Sequence, residues 1–303
     1  MGREAVLTPV TWNEGGWPVF SQVRGTMTGW ALPPPTHDIP GSGPFNGQPD
    51  NINFPRNSKI PFHFLFNRYP STSFFKISPP GYPNKLQVIS SPTNLTGILD
   101  SSSPTLSGQE GQAFVGRLQE HTFFTFSVDL SFDPQGSGQE AGVTAFLTQA
   151  NHVSLSIASP RSPAGKHYGP HLGSEIHFSI ETTGTVNSSI PSSTATFPVP
   201  ATWPRGPIRL QIHTSNAIEL VFSAIPVANL NAQKITGSVS ALVVSGGSGP
   251  FTGTVLGVYA TCNGHLEEDG RCAKNGKAYF SRWRYQGAAQ QIDHSKWVPV
   301  LER

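Results

Sequence analysis

The chain has 303 residues, of which 31 are Gly and 28 Pro; only 13% are charged and the formal net charge is +2. That length can bury a full core, as a single all-β domain of roughly 200–250 residues would. The Lys and Arg are scattered singly, which excludes the basic stripe that nucleic-acid backbones require, and no apolar run reaches the roughly 18 residues of a membrane-spanning helix.

Residues 1–30 open with Met1-Gly2-Arg3-Glu4, without the charged and apolar regions of a secretory signal. Two short extended pieces follow around the turn Asn13-Glu14-Gly15-Gly16, flanked by Trp12 and Trp17, which either stack on sugar rings or anchor the segment to a core. Residues 31–56 are too rich in Pro, Gly and Asn for a core and read as a linker or long surface loop. Strand patterning returns over Lys59–Asn67, with Ile60, Phe62, Phe64 and Phe66 alternating and Pro61 marking an edge. Short strands are expected at 74–77 and 85–89, a polar loop over Ser90–Gly111, and another strand at Ala113–Leu118.

The clearest pattern runs from Thr122 to Ala158. Phe124, Phe126, Val128, Leu130 and Phe132 recur at every second position, the period of a half-buried strand. Asp133–Gly138 breaks both regular structures, so an antiparallel meander is expected, continuing through Val143–Leu147 and Val153–Ile157. The loop beyond carries His167 and His171, with His177 further on; Gly169 and Pro170 forbid the helix that would align the first two, so no metal site is expected. Ile176, Phe178 and Ile180 alternate on another strand, 184–204 reads as loop, and Ile208–Ile212 pairs with Ile218–Phe222 across a tight turn. Strands at Thr236–Val244, Phe251–Ala260 and Tyr279–Tyr285 complete about a dozen, with no helix, the signature of two packed sheets.

The only cysteines, Cys262 and Cys272, share a Gly-rich loop. A disulfide there would remove about 2.5–3 kcal/mol of unfolded-state freedom. A zinc site is the poorer reading because no His pair flanks them, while a reduced pair stays open, as in cytosolic chains. Asn94-Leu95-Thr96 and Asn187-Ser188-Ser189 have the form of glycosylation acceptors. Together with a disulfide they favour an extracellular, secreted protein.

The acids are dispersed. Asp129, Asp133 and Glu140 surround a turn, Glu175, Glu181 and Glu219 lie singly on strands, and Glu267, Glu268 and Asp269 cluster in the cysteine loop. Only that cluster has the like-charged neighbours that raise a carboxyl pKa for general-acid work, and a solvated loop explains it as well. There is no G-x-S-x-G elbow, and Gly246–Gly249 leads into a strand rather than a helix N-terminus, so neither serine chemistry nor a phosphate-binding cofactor is expected.

Leu86 with Val88, Gly116–His121, the strand Ala141–Leu147 and above all Gly249-Pro250-Phe251-Thr252-Gly253-Thr254-Val255-Leu256-Gly257-Val258-Tyr259-Ala260 resemble the C-terminal concanavalin A-like β-sandwich of glycoside hydrolase family 43. The match covers most of residues 15–300, and the ending Tyr279–Tyr285 with Gln291–Asp293 and Trp297–Pro299 is similar to the fungal branch. The resemblance implies an all-β, two-sheet antiparallel jelly-roll sandwich over 57–303, preceded by a propeller-exit segment at 1–30 that includes its first strands, and the loop 31–56. Family 43 enzymes cleave xylosidic and arabinofuranosidic bonds by inversion with three acids carried by an N-terminal five-bladed propeller. The resemblance therefore implies a non-catalytic accessory module without its propeller, with plant cell-wall polysaccharide and a catalytic propeller as partners, no cofactor and no activity of its own.

In related enzymes a loop of this module approaches the sugar pocket, and by position Cys262–Cys272, with Glu267 and Glu268, is the candidate. A face docking on the propeller would be apolar and could use Trp12, Trp17 and Trp30. The alternative is a free-standing carbohydrate-binding protein, for which Gln119, His121, Arg282, Trp283 and Tyr285 supply aromatic and planar hydrogen-bonding groups. On a regular strand Trp283 and Tyr285 would share one face and Arg282 the other. A third reading is a jelly-roll glycosidase with its own carboxylate pair.

Overall fold

The structure, a computed structural model, describes residues 8–22, 48–69, 71–97, 111–134, 136–159, 174–182, 190–245, 253–266, 272, 276–293 and 296–300. Among them there is no α-helix; two single 3₁₀ turns, Thr72–Phe74 and Ala241–Val244, are the nearest approach. Residues 8–22 form a hairpin, β1 (Val10–Thr11) and β2 (Val19–Phe20), a two-stranded sheet of its own.

The other strands are β3 (Asp50–Ile52), β4 (Phe75–Ile77), β5 (Leu86–Ile89), β6 (Phe114–Leu118), β7 (Phe123–Ser131), β8 (Glu140–Thr148), β9 (Asn151–Ala158) and β10 (Glu175–Glu181), then β11 (Ser193–Pro198), β12 (Ile208–Asn216), β13 (Glu219–Pro226), β14 (Ile235–Ser240), β15 (Val255–Thr261), β16 (Lys277–Asp293) and β17 (Lys296–Pro299). They make two antiparallel sheets. One has six strands in the order β11-β10-β9-β8-β15-β6; the other has nine, with β14-β13-β12-β7-β16-β5-β4 as its spine and β3 and β17 added to β16. Phe126, Val128, Leu210 and Phe222 from the larger sheet meet Val143, Leu155, Ile176 and Val258 from the smaller in one buried core. The alternation read along β7 is real because that face is the inner one.

Four expectations are corrected. The Thr122–Ala158 run is not a meander within one sheet. β7 belongs to the nine-stranded sheet and β8 and β9 to the six-stranded one, so the turn after β7 carries the chain across the core. Each strand has one apolar face, and two such faces are buried by stacking as well as by pairing side by side. Lys59–Asn67 is not a strand: the Phe64 N–H bonds back to the Pro61 carbonyl, and only Leu65 bridges to Gly116. The loop read over 184–204 contains β11, an exposed edge strand whose Ser-Thr-Ala-Thr sequence carries little alternation. Part of the Pro-rich 31–56 stretch, Asp50–Ile52, pairs with Trp283–Tyr285.

β16 organises the larger sheet. It pairs with β7 along one edge and with β5 and then β3 along the other. Its register with β7 shifts between Ser281 and Arg284, and Arg282 sits at φ 51°, the left-handed region a bulge exploits. The extra residue resets the alternation, so Ala278 and Phe280 before the bulge and Trp283 and Tyr285 after it all enter the core.

Candidate functional site

Of the five residues read as a sugar platform, the structure brings Gln119, His121 and Tyr285 together but buries the Trp283 and Tyr285 rings. Trp283 is 0% exposed and Tyr285 1% exposed, so neither offers a face for stacking. The reason is the bulge, which turns both inward. Trp283 donates its indole N–H to Asp50 at 2.9 Å and packs between Phe64 and Phe126. Asp50 also meets Arg117 at 2.9 Å and His63 at 3.1 Å, and the Arg117 guanidinium lies 3.8 Å from the centre of the Tyr285 ring. Arg117 reaches on to Glu120 at 3.1 Å.

The Tyr285 hydroxyl accepts from the backbone N–H groups of Glu120 and His121, each at 3.2 Å, and stands 3.0 Å from His121 Nδ1. With both lone pairs used, the phenol donates to Nδ1, which makes His121 the neutral ring protonated on Nε2. Burial lowers the His121 pKa in the same sense; Glu120 opposes it and Arg117 adds to it. Gln119 donates to the His121 carbonyl. Arg282, half-buried, lies apart from this cluster and points a guanidinium nitrogen at Ser127. Asp50, Arg117, Trp283 and Tyr285 join three segments distant in sequence through buried charge, and their burial makes them a structural tie, with Gln119, Glu120 and His121 half-buried at its edge.

Cys262 and Cys272 form a disulfide. The bridge closes the root of the loop, where Leu266 also pairs with Cys272. Glu267 and Glu268 lie outside the described residues, as do Asn187, Trp30, His167 and His171. His177 meets Glu175 at 3.3 Å. Asp129, one of the acids weighed for catalysis, is gripped by Arg209 through two bonds of 2.7 and 3.1 Å across neighbouring strands.

Two features remain open. The first is the hairpin at 8–22. Gly15, at φ 73°, lets the chain turn between the strands, and the Trp12 indole N–H closes onto the Gly16 carbonyl at 3.1 Å. Its apolar residues are uncovered: Trp17 is 91% exposed, Trp12 73% and Phe20 64%, with Val19 also exposed. An isolated two-stranded hairpin is marginal in water, and this one spends its largest side chains on solvent.

The second is a hollow of about 460 Å³ on the outer face of the six-stranded sheet. Where Val153, Leu155 and Ile157 of β9 point into the core, His152, Ser154 and Ser156 point away, and opposite His152 on β10 stands Glu181. The Ser91–Gly97 segment lies alongside β15, held where the Ser91 N–H donates to the Ala260 carbonyl and the Ser91 carbonyl accepts from the Cys262 N–H and the Thr261 hydroxyl, and brings Leu95 onto a small apolar cluster with Phe114, Phe146 and Tyr259. Asn94 and Thr96 thereby reach the hollow's edge, and Asn263, next to the disulfide, reaches it from the other side. Glu140 is fixed there by the hydroxyls of Tyr259 and Ser156 and the amide of Asn263. Sequence reading placed Glu140 and Glu181 on separate elements. The signal that joins them is the polar residue at every second position of β9 and β10, opposite the apolar ones, with Glu140 at the start of β8 on the same face.

The sequence profile of the beta xylosidase C-terminal concanavalin A-like domain matches residues 51–286. The chain belongs to that family. A non-reducing end α-L-arabinofuranosidase of Bacteroides ovatus is 26% identical over 265 residues, spanning 87% of this chain and 42% of that enzyme. Among solved structures, the family 43 protein of the B. ovatus xyloglucan locus superposes with a TM-score of 0.62 at 22% identity, covering 92% of this chain and 46% of the other. The xylan β-1,4-xylosidase of Bacillus halodurans does so with a TM-score of 0.63 at 15% identity, again covering 92% and 46%. The chain thus spans less than half the length of these relatives, and the two-sheet concanavalin A-like fold is what it shares with them.

Proposed function

We propose that this sandwich is the accessory module of a family 43 glycosidase and docks on a catalytic propeller through the aromatic hairpin at 8–22. The observation that carries the reading is the exposure of Trp12, Trp17, Val19 and Phe20 on a hairpin too small to be stable by itself. A covered partner face would bury them, and aromatic anchors of this kind dominate the energy of such contacts. The substrates follow from the relatives' names: xylan- or arabinan-type polysaccharides, hydrolysed by the propeller's acids and not by this chain. Work on such polymers supports a location outside the cell, and the Cys262–Cys272 bridge supports an oxidising compartment. The ending Tyr279–Tyr285 and Trp297–Pro299 supports the fungal branch, although the relatives compared are bacterial.

The test mixes the chain with a recombinant family 43 propeller of the arabinofuranosidase type and follows the pair by size-exclusion chromatography. Co-elution that Trp17→Ser with Phe20→Ser abolishes is expected, with aryl-arabinofuranoside hydrolysis found only in fractions containing the propeller. Absence of a complex at about 100 μM, or a complex indifferent to both substitutions, overturns the reading.

A further inference from the structure

We infer that the hollow on the outer face of the six-stranded sheet binds a neutral saccharide unit, with Glu140, Glu181 and Asn263 as its polar contacts. This site is separate from the hairpin and does not depend on docking.

Its size comes first. About 460 Å³ lies inside the range of small-ligand clefts, roughly 300–1,000 Å³. Chemistry then selects among ligands. The described residues around it include two carboxylates and no Lys or Arg, so a phosphate or an acidic sugar would meet like charge there. Among the described lining residues the apolar ones are Leu95, Ile180 and the buried Tyr259, too little for a lipid or a flat aromatic ligand. The described residues hold no group of three His, Cys, Asp or Glu suited to a metal ion. What remains is a neutral molecule dense in hydroxyls, which donates to carboxylates in charge-assisted bonds and exchanges neutral ones with Ser154, Ser179 and Thr194.

Preorganisation supports the same ligand. Glu140 takes bonds from Tyr259 and Ser156 on one oxygen and from Asn263 on the other. A carboxylate has about four acceptor sites, so its orientation is fixed while capacity for a further donor remains. Asn263 is itself held by the Gly138 carbonyl at 2.9 Å. Glu181 accepts from Ser192 at 2.9 Å. These groups stand on strands of one sheet or on the short segment anchored by the disulfide, so little ordering entropy is left for the ligand to supply.

The experiment titrates the full chain, made in a host without N-glycosylation so that Asn94 is bare, with xylotriose and arabinotriose, using glucuronic acid as the anionic control. Isothermal titration and amide chemical-shift mapping are read together. Millimolar or tighter binding of a neutral sugar is expected, with shifts confined to β8, β9, β10 and the Asn263 segment. Glu181→Ala should weaken it at least about tenfold, and Ser179→Phe, which fills the hollow from a half-exposed position, should abolish it. Trp17→Ser, which tests docking, should leave it unchanged. No heat and no shifts with either neutral sugar at about 10 mM, binding unchanged by both cavity substitutions in variants of wild-type thermal midpoint, shifts mapping elsewhere, or tighter binding of glucuronic acid would overturn the inference.

Discussion

Asp50 and Arg117 meet at 2.9 Å with no side-chain surface exposed; Trp283 and His63 bond the carboxylate, and Glu120 and the carbonyls of Gln48 and Leu118 accept from the guanidinium. Removing one partner of such a pair strands the other, whereas replacing both with apolar groups can be nearly neutral. Asp50→Ala is therefore expected to destabilise by about 3–5 kcal/mol in urea unfolding, and Asp50→Leu with Arg117→Met to recover most of that loss. Charge state matters as well at His152, whose pKa falls from 6.5 to about 4 through burial, against the opposing Thr148 carbonyl and the charges of Glu181 and Glu140. The fold favours the neutral ring, so this contribution is complete above pH 6.5 and is lost as pH falls toward 4. It amounts to about 3 kcal/mol, and His121, lowered in the same direction, adds to it. Unfolding midpoints at pH 7.5 and 4.5 should differ accordingly, and His152→Gln should flatten the difference. None of this was legible in the sequence, where Asp50 sat in a Pro-rich stretch and His152 was one polar residue among many. Burial of a charged group depends on partners far away along the chain.

At the scale of elements, the reading succeeded where one face of a strand is apolar and failed where pairing alone makes the strand. β7, β9 and β10 alternate because their inner faces meet the other sheet. β3 and β11 are edge or add-on strands with little to bury, so composition made them loops. β16 fails differently: the bulge at Arg282 inserts a residue and breaks a period-two count that would otherwise have set Phe280 and Trp283 on opposite faces. The bulge is why that shared face of Trp283 and Tyr285 is the inner one. For the cysteines, spacing favoured the disulfide over a zinc site and left a reduced pair open, and the structure forms the bridge. Closing a loop between residues 10 apart is worth about 2.5–3 kcal/mol. Reduction, or Cys272→Ser, should lower the unfolding free energy by that amount, with the largest chemical-shift changes around Asn263 and β15.

For the molecule as a whole, one core shared by two sheets predicts one cooperative transition. The hairpin at 8–22 pairs with neither sheet, so its deletion should leave the calorimetric midpoint within a few degrees while removing binding to a propeller. A second transition, or a large fall in the midpoint, would show that the hairpin belongs to the sandwich. Sequence by itself determined the all-β class, the stacking of two sheets and the family, because alternation, turn residues and motif order are local properties that survive without coordinates. Only the tertiary structure decided which residues are accessible and which converge. Asn94, Glu140, Glu181 and Asn263 border one hollow, while Trp283 and Tyr285 are sealed inside, because sheet register and a single bulge set the direction of side chains that no local pattern connects.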